Sequence, residues 1–490
     1  MCGTRINRMG RRIVGVALSI LLACFVLTPT AFAQSSETDE LKAQLQKMRE
    51  QMQAQQQVMD KMQQRLDELE TKQRTQPQPQ PTSQAAATAS LATPASAPHP
   101  STPPPYRPPS APAGVAEPLP EGYIRLGDTG NLLKVDLVAQ LDTMFDTTYM
   151  GAKDLFVPSS IPASGQPFYG TGWRSNLSAK QSIFRMDFQR DTDYGTLKVV
   201  YKNNFFGSGS GDMPYNLQTF YGKLENAAFT LLAGYNISAF TDIDVFPNTL
   251  DYEGPNSFTF KYTPQILFSP VLFTSGESKL TLPMSLEKPN ADITVGNTGF
   301  NTYSRRPDIT LGLRWEAPDW HVQWANLLRD LRVEAPNGQS RGSTGWATQL
   351  TATTKLFEHD SIQGWGSYGR GYANFLQDIS GLGLDAAFDT DGNLHGIKAR
   401  GFGAGYTHAW LENLTSSAAF GYLRISPGSN LLIADTQPKS TKFASVNLAW
   451  QFSERAMFGV EYLWGQNILL TDARGQGQRI QTTLRYDLNP

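Results

Sequence analysis

The chain has 490 residues, with 42 Lys and Arg against 44 Asp and Glu and a net charge of −2. That balance suggests neither nucleic acid nor an anionic lipid surface as a partner. Its only two cysteines are Cys2 and Cys24, and past residue 33 no run of about 18 apolar residues occurs, so no transmembrane helix is expected.

Residues 1–33 read as a secretory signal. Arg5, Arg8, Arg11 and Arg12 form a basic start, "IVGVALSILLACFVL" the apolar core, and "AFA" before Gln34 the small-residue cleavage site. "LLAC" at 21–24 has the look of a lipoprotein box, but the apolar run continues through Phe25, Val26 and Leu27, which favours ordinary secretion. Removing this segment takes both cysteines away and leaves 38 basic against 44 acidic residues. A disulfide framework, a thiol nucleophile and a cysteine-based metal site are thereby excluded from the mature chain.

Within 34–74 the spacing predicts a coiled coil. Leu41, Leu45, Met48, Met52, Gln55, Met59, Met62, Leu66 and Leu69 alternate steps of four and three without a break. Such a seam lets helices associate, with one polar residue at a core position. Residues 75–120 follow with 14 prolines among Gln, Ala, Ser and Thr, a composition that reads as a semi-extended tether.

From 121 to 490 helical periodicity disappears and alternation takes over. In "RIQTTLRYDL" Ile480, Thr482, Leu484, Tyr486 and Leu488 share one parity, while Gln481, Thr483, Arg485 and Asp487 share the other. Ala444, Val446, Leu448, Trp450 and Phe452 alternate in the same way with Phe443, Ser445, Asn447, Ala449 and Gln451. Sixteen such segments can be laid along the region. Connections at 191–194, 225–227, 275–278, 318–320, 358–360, 411–413 and 453–455 are tight. Those expected at 150–175, 207–214, 236–256, 288–307, 331–345, 370–397, 426–441 and 469–478 are mostly long. Short turns at one rim and long loops at the other predict an all-β transmembrane barrel of 16 antiparallel strands. On that reading the apolar parity meets lipid, and Arg485 and Asp487 look into a wet lumen.

The stretches "AKQSIFRMDF", "DYGTLKVVYKNNFFG", "LLAGYNISAFTDIDVFPNTLDYEGPN", "LEKPNADI" and "GYTHAWLENL" carry a family resemblance. The chain resembles the DcaP-like trimeric outer-membrane porins, in which a periplasmic coiled coil precedes a 16-stranded barrel. The resemblance implies a homotrimer in the outer membrane, with its N-terminal segment in the periplasm. It also implies a passive channel for small hydrophilic solutes, with anionic dicarboxylates as the suggested substrates. The chain departs from that pattern at Ile183, Lys202, Asn204, Asn216 and Gln218, where opposed charges are replaced. The terminal "LNP" also departs, lacking the usual final aromatic.

The connection "NISAFTDIDVFPNTLDYEGPN" is the third long loop by count. It carries Asp242, Asp244, Asp251 and Glu253 and no basic residue. We expect it to form the acidic wall of a constriction. By parity Arg185, Lys198, Lys202, Lys261 and Arg314 face it from the barrel, and charges so opposed select ions. Lumen acids Asp136, Asp142, Asp187 and Glu461 offset the basic wall, which makes the lean toward anions weak. No enzyme is expected: the mature histidines, His99, His321, His359, His395 and His408, are scattered, and "GSGSG" at 207–211 lacks the ending of a phosphate loop. "DTDGN" at 389–393 lacks a helix and the closing Glu of a calcium loop and is expected to be a turn. Neither a cofactor nor a metal is expected. Besides membrane lipid and solute, a cell-wall contact through residues 34–120 is the alternative role, an envelope tether.

Overall fold

The computed structural model describes residues 119–296 and 298–488. The expected signal, the coiled-coil seam and nearly all of the proline-rich tether lie outside the described residues.

Sixteen strands form one closed antiparallel barrel. They are β1 (Leu132–Asp146), β2 (Arg174–Ser178 and Ile183–Thr192), β3 (Gly195–Asn204), β4 (Asn216–Glu225), β5 (Phe229–Ile237), β6 (Tyr262–Ser275), β7 (Ser278–Thr281 and Met284–Glu287) and β8 (Asn301–Tyr303 and Asp308–Ala317). They continue as β9 (Trp320–Glu334), β10 (Ser340–Leu356), β11 (Asp360–Arg370), β12 (Lys398–Leu411), β13 (Leu414–Ser426), β14 (Pro438–Ser453), β15 (Ala456–Leu469) and β16 (Arg474–Asp487). β16 returns to β1, from Val138 opposite Asp487 to Asp146 opposite Arg479. Closure removes the free edges that would leave backbone groups unpaired in lipid. The gap in β7 falls at Pro283, which has no N–H to give the ladder; its carbonyl still accepts Gly312 N at 2.8 Å. No helix among the described residues is long and apolar enough to cross a membrane.

Seven tight turns lie at one rim, where the sequence placed them. The other rim carries eight connections: L1 (147–173), L2 (205–215), L3 (238–261), L4 (288–300), L5 (335–339), L6 (371–397), L7 (427–437) and L8 (470–473). Four of these, L4, L5, L7 and L8, are shorter than expected, L5 and L8 most of all. β9 and β10 pair out to Glu334 and Ser340, and β15 and β16 pair out to Ile468 and Arg474, so segments read as loop are strand. Their polar tips, "EAPNGQS" and "TDARGQGQ", hid the continued pairing.

The two faces follow the alternation. Leu137, Leu141 and Phe145 on β1, Trp315 on β8, Trp324 on β9, Val446 and Leu448 on β14 and Leu484 on β16 are exposed on the outside, as a lipid-facing band requires. The inside is not uniformly polar. Ala325, Leu327, Leu331, Val333, Leu423, Ile425, Phe443 and Leu463 point inward and are buried. Loops cover them. Tyr372, Phe375, Leu376, Ile379 and Leu384 of L6 pack with Phe240 of L3 onto β9, β10, β12 and β13. Phe156 and Ile161 of L1 pack on Phe443 and Leu463. Half the barrel therefore has an internal core made of loops, and the hydrophobic effect holds them there.

Candidate functional site

L3 lies inside the barrel, and its acids show how it is held. Asp242 is 2% exposed. Its carboxylate meets Arg314 Nη1 of β8 at 3.1 Å and His321 Nε2 of β9 at 2.9 Å, and accepts Thr351 Oγ1 of β10 at 2.5 Å. Burial alone would raise this carboxyl; the His321 hydrogen bond, the Arg314 charge and the Thr351 hydroxyl outweigh it and hold it below its ordinary value. Asp244, next along, meets Arg314 Nη2 at 2.7 Å and stays largely exposed.

Further on, L3 crosses to the opposite wall. The Leu250 and Asp251 N–H groups both donate to Glu461 Oε2 of β15 at 2.8 Å. Gln481 Nε2 of β16 donates to the Leu250 carbonyl at 3.2 Å. Leu250 fits only because Gly459 faces it: a Cβ there would stand 2.6 Å from Leu250 Cδ1. Asp251, 1% exposed, accepts Phe156 N of L1 at 3.1 Å and lies 3.7 Å from Arg479 Nη1. Burial outweighs that arginine and pushes the Asp251 carboxyl up to about 6. Tyr252 stacks on Phe206 of L2 at 4.5 Å and accepts Gln218 Nε2 of β4 at 2.6 Å. Asn256 and Thr259 then bond Thr441 of β14 and Gln349 of β10.

The expected acidic wall is thus divided. Asp242 and Asp251 are buried anchors, whereas Asp244 and Glu253 keep some exposure. Arg314 does not stand across a gap from the loop; it grips it. Lys261, expected in the lumen, points inward but lies over the Phe375 ring of L6, 4.2 Å from its centroid. Asp142 and Glu461 are both fully buried.

Several polar residues that hold this arrangement went unread in the sequence. Arg479, fully buried, binds Asp146 at 2.6 Å and the Lys153 carbonyl of L1 at 3.1 Å. Arg329 binds Asp308 at 3.0 Å and Asp385 of L6 at 2.7 Å. Asp378 of L6 accepts Ser159 N of L1 at 2.9 Å and Thr441 Oγ1 at 2.6 Å, and burial pushes its carboxyl up to about 6. Parity put each strand residue on the inner face. The signal that L1 and L6 come in to meet them was the apolar inward set on β9, "LLRDLRV", which no water-filled channel needs.

The remaining half of the wall, on β1 to β5 and the end of β16, carries polar and basic side chains. Arg185 holds Asp187 with two bonds, Nε at 2.8 Å and Nη2 at 2.6 Å. Lys223 pairs with Glu225 at 2.6 Å, and Arg485 Nε with Asp487 at 2.9 Å. Lys202 stands opposite Arg185 in register, and Lys198 opposite Lys223. The departures from the family pattern sit at the upper end of this wall, where Asn216 Nδ2 donates to Asn204 Oδ1 at 2.7 Å. An amide pair there satisfies itself where charges would need counter-charges. Asp242, Asp244 and His321 bring ligand atoms within 4.8 Å of one another. Arg314 already supplies the positive charge between the two carboxylates, so this cluster is not a metal centre in need of an ion.

A model of the DcaP outer membrane protein family matches residues 157–488. The chain belongs to the DcaP outer membrane protein family. Among solved structures, the outer membrane channel DcaP of Acinetobacter baumannii superposes with a TM-score of 0.62 at 17% identity, over 74% of this chain and 98% of that one. The anion-selective porin from Comamonas acidovorans is similar at a TM-score of 0.48 and 8% identity, over 73% of this chain and 100% of that one. No curated protein matches the chain. DcaP membership makes it an outer-membrane barrel of porin type, with the basic half-wall and the docked L3 as its candidate functional features.

Proposed function

We propose that the chain is an outer-membrane porin that passes small hydrophilic solutes by passive diffusion and leans toward small anions, carboxylates among them. The reading rests on one observation: L1, L3 and L6 are packed mainly against β8 to β16, while Arg185, Lys198, Lys202 and Lys223 stand on the opposite inner wall, which L3 touches through Tyr252 on Gln218. The narrowing is formed by docked loops rather than by a plug that must leave, so no energy source and no catalytic step are needed. Exposed Asp244 of L3 opposes the basic wall, and its partial offset keeps the preference for anions modest. By this reading the protein is a homotrimer in the lipid of the outer membrane, it is not an enzyme, and it uses no cofactor.

Bilayer conductance in a KCl gradient tests this. The wild type is expected to conduct, with a reversal potential on the anion side. Lys198→Gln with Lys202→Gln is expected to move that potential toward cations, because fixed charges within a Debye length of about 10 Å at 0.1 M act on a passing ion. An unchanged potential would remove the basic wall from the pore. The envelope tether is the second reading. It is motivated by the long proline-rich segment and by the place of residues 119–131 at the rim of tight turns, where Ile124 pairs with Leu133. Retention of residues 34–120 on purified cell wall would favour it.

A further inference from the structure

We propose that the outer face of β11 to β14 at the loop rim binds a phosphorylated glycolipid of the outer leaflet, with Arg370, Lys398, Arg400, Arg424 and Lys442 taking its phosphates. The inference needs only a barrel in the outer membrane and does not depend on what the lumen passes.

The argument begins with strand register. Tyr368 and Phe402 are exposed on the outside, and alternation puts Arg370, Lys398 and Arg400 on the same face. Buried Gly369, Ala399 and Gly401 point the other way. Arg370 stands directly opposite Lys398, and Arg400 directly opposite Arg424. Lys442 follows on β14, opposite Tyr422. Side chains so placed have Cβ atoms about 5 Å apart, and like charges there destabilise the pair.

Nothing in the protein offsets this charge. Among the described residues none of the five cations makes a side-chain hydrogen bond or an ion pair. Asp472 of L8 acts on Arg424 by charge, but Lys439 holds that carboxylate at 2.5 Å. Nearby β9 shows the ordinary remedy, where outward Arg332 takes Asp330 at 2.9 Å. Two like-charged pairs without a counter-charge call for an anion from outside the chain.

Depth decides which anion. The long loops of an outer-membrane barrel stand outside the cell, so these cations lie at the headgroups of the outer leaflet. Beside and below them come Tyr368, Phe402 and Tyr422, with Phe402 and Tyr422 rings 5.2 Å apart. Aromatic side chains of this kind mark the interface between headgroups and hydrocarbon. Next toward the midplane an outward groove of about 500 Å³ opens between Trp324, Leu350, Gly366 and Phe402, with Arg400 at its upper end. A Cβ on Gly366 would meet nothing within 4 Å, so the floor of the groove is open space. Cations, rings and an apolar groove repeat the order of phosphate, sugar and acyl chain in a glycolipid. A free phosphate would use the first level alone. The two like-charged pairs are offset by two residues and one strand, roughly 8 Å at the usual rise and spacing. A headgroup with two phosphates can satisfy both, and arginine binds phosphate through charge-assisted, often bidentate hydrogen bonds.

The test uses purified full-length protein in detergent, with bisphosphorylated lipid A, its dephosphorylated form and inorganic phosphate as probes. Bound lipid is titrated by native mass spectrometry, and the melting temperature is read from the folded band on gels. Bisphosphorylated lipid A is expected to bind and to raise the melting temperature by several degrees. The dephosphorylated form is expected to bind about tenfold more weakly, and inorganic phosphate to leave the melting temperature unchanged. Arg400→Gln with Arg424→Gln is expected to weaken lipid A binding about tenfold, whereas Arg400→Lys with Arg424→Lys keeps most of it. Without lipid the Gln variant is expected to be at least as heat-stable as the wild type, because like charges no longer face each other. Gly366→Leu, which fills the groove, is expected to weaken lipid A binding as well. Unchanged lipid A binding in the Gln variant overturns the proposal. An equal response to inorganic phosphate would make the patch a free-anion site and overturn the lipid assignment. A Gln variant that is folded but monomeric where the wild type is oligomeric would make this face a contact between copies, and the proposal would fall.

Discussion

At the scale of single residues, four acids on L3 that look alike in sequence divide into two kinds. Asp242 accepts three side chains from three successive strands, whereas Asp244 pairs, among the described residues, with Arg314 alone. Removing the charge from Asp242 leaves Arg314 and buried His321 facing an amide, and hydrogen bonds to charged groups are worth about 1.5–3 kcal/mol each. Asp242→Asn is expected to lower the temperature at which the barrel loses its fast-migrating folded band in detergent gels. Asp244→Asn is expected to leave that temperature within a degree or two and to move the reversal potential toward anions. A selectivity change without a stability change in Asp242→Asn would reverse these assignments.

At the scale of elements, L1, L3 and L6 meet at buried carboxyls. Asp251 binds the Phe156 amide and faces Arg479, with Asp142 and Glu461 also near. Asp378 binds the Ser159 amide and Thr441. Glu253 is half-buried beside both, and burial together with the Asp251 and Asp378 charges raises its carboxyl well above its ordinary value. Folded-state pKa values near 6 for Asp251 and Asp378 lie above the unfolded value, so the folded protein binds the proton more tightly. The sign follows: this contribution is complete below about pH 4 and is lost as pH rises through 6. A tenfold change in proton affinity corresponds to about 1.4 kcal/mol, so each group contributes at most roughly 3 kcal/mol. Heat stability measured between pH 4 and 7 is expected to fall less steeply with rising pH in Asp378→Asn than in the wild type. An identical slope would mean that Asp378 is ionised throughout.

At the scale of the whole molecule, the barrel closes on itself through β1 and β16 and is braced from within by loop clusters. Deleting residues 34–75 is expected to leave a heat-modifiable oligomer in detergent, because the outer barrel walls would supply most of the contact between subunits. Only monomers after that deletion would make the coiled-coil seam essential to assembly.

Local pattern alone specifies the barrel. Alternation along "FASVNLAWQF" and "RIQTTLRYDL" decides which side chains face lipid, because a strand repeats every two residues. Tight turns such as "PDW" and "LEN" fix where strands reverse, because a short connection permits little else. Neighbour-by-neighbour rules suffice for both. Which inward residues still face water is settled only by long-range packing. Arg185, Arg314 and Lys261 all point inward, yet Arg314 is locked to L3 and Lys261 lies over the Phe375 ring, while Arg185 stays 40% exposed. The difference comes from L1, L3 and L6 folding back on distant strands, with Phe156 on Asp251 and Ser159 on Asp378. Contacts across 95 and 219 positions leave no periodic mark, since loop docking depends on shape and burial rather than on the spacing of neighbours.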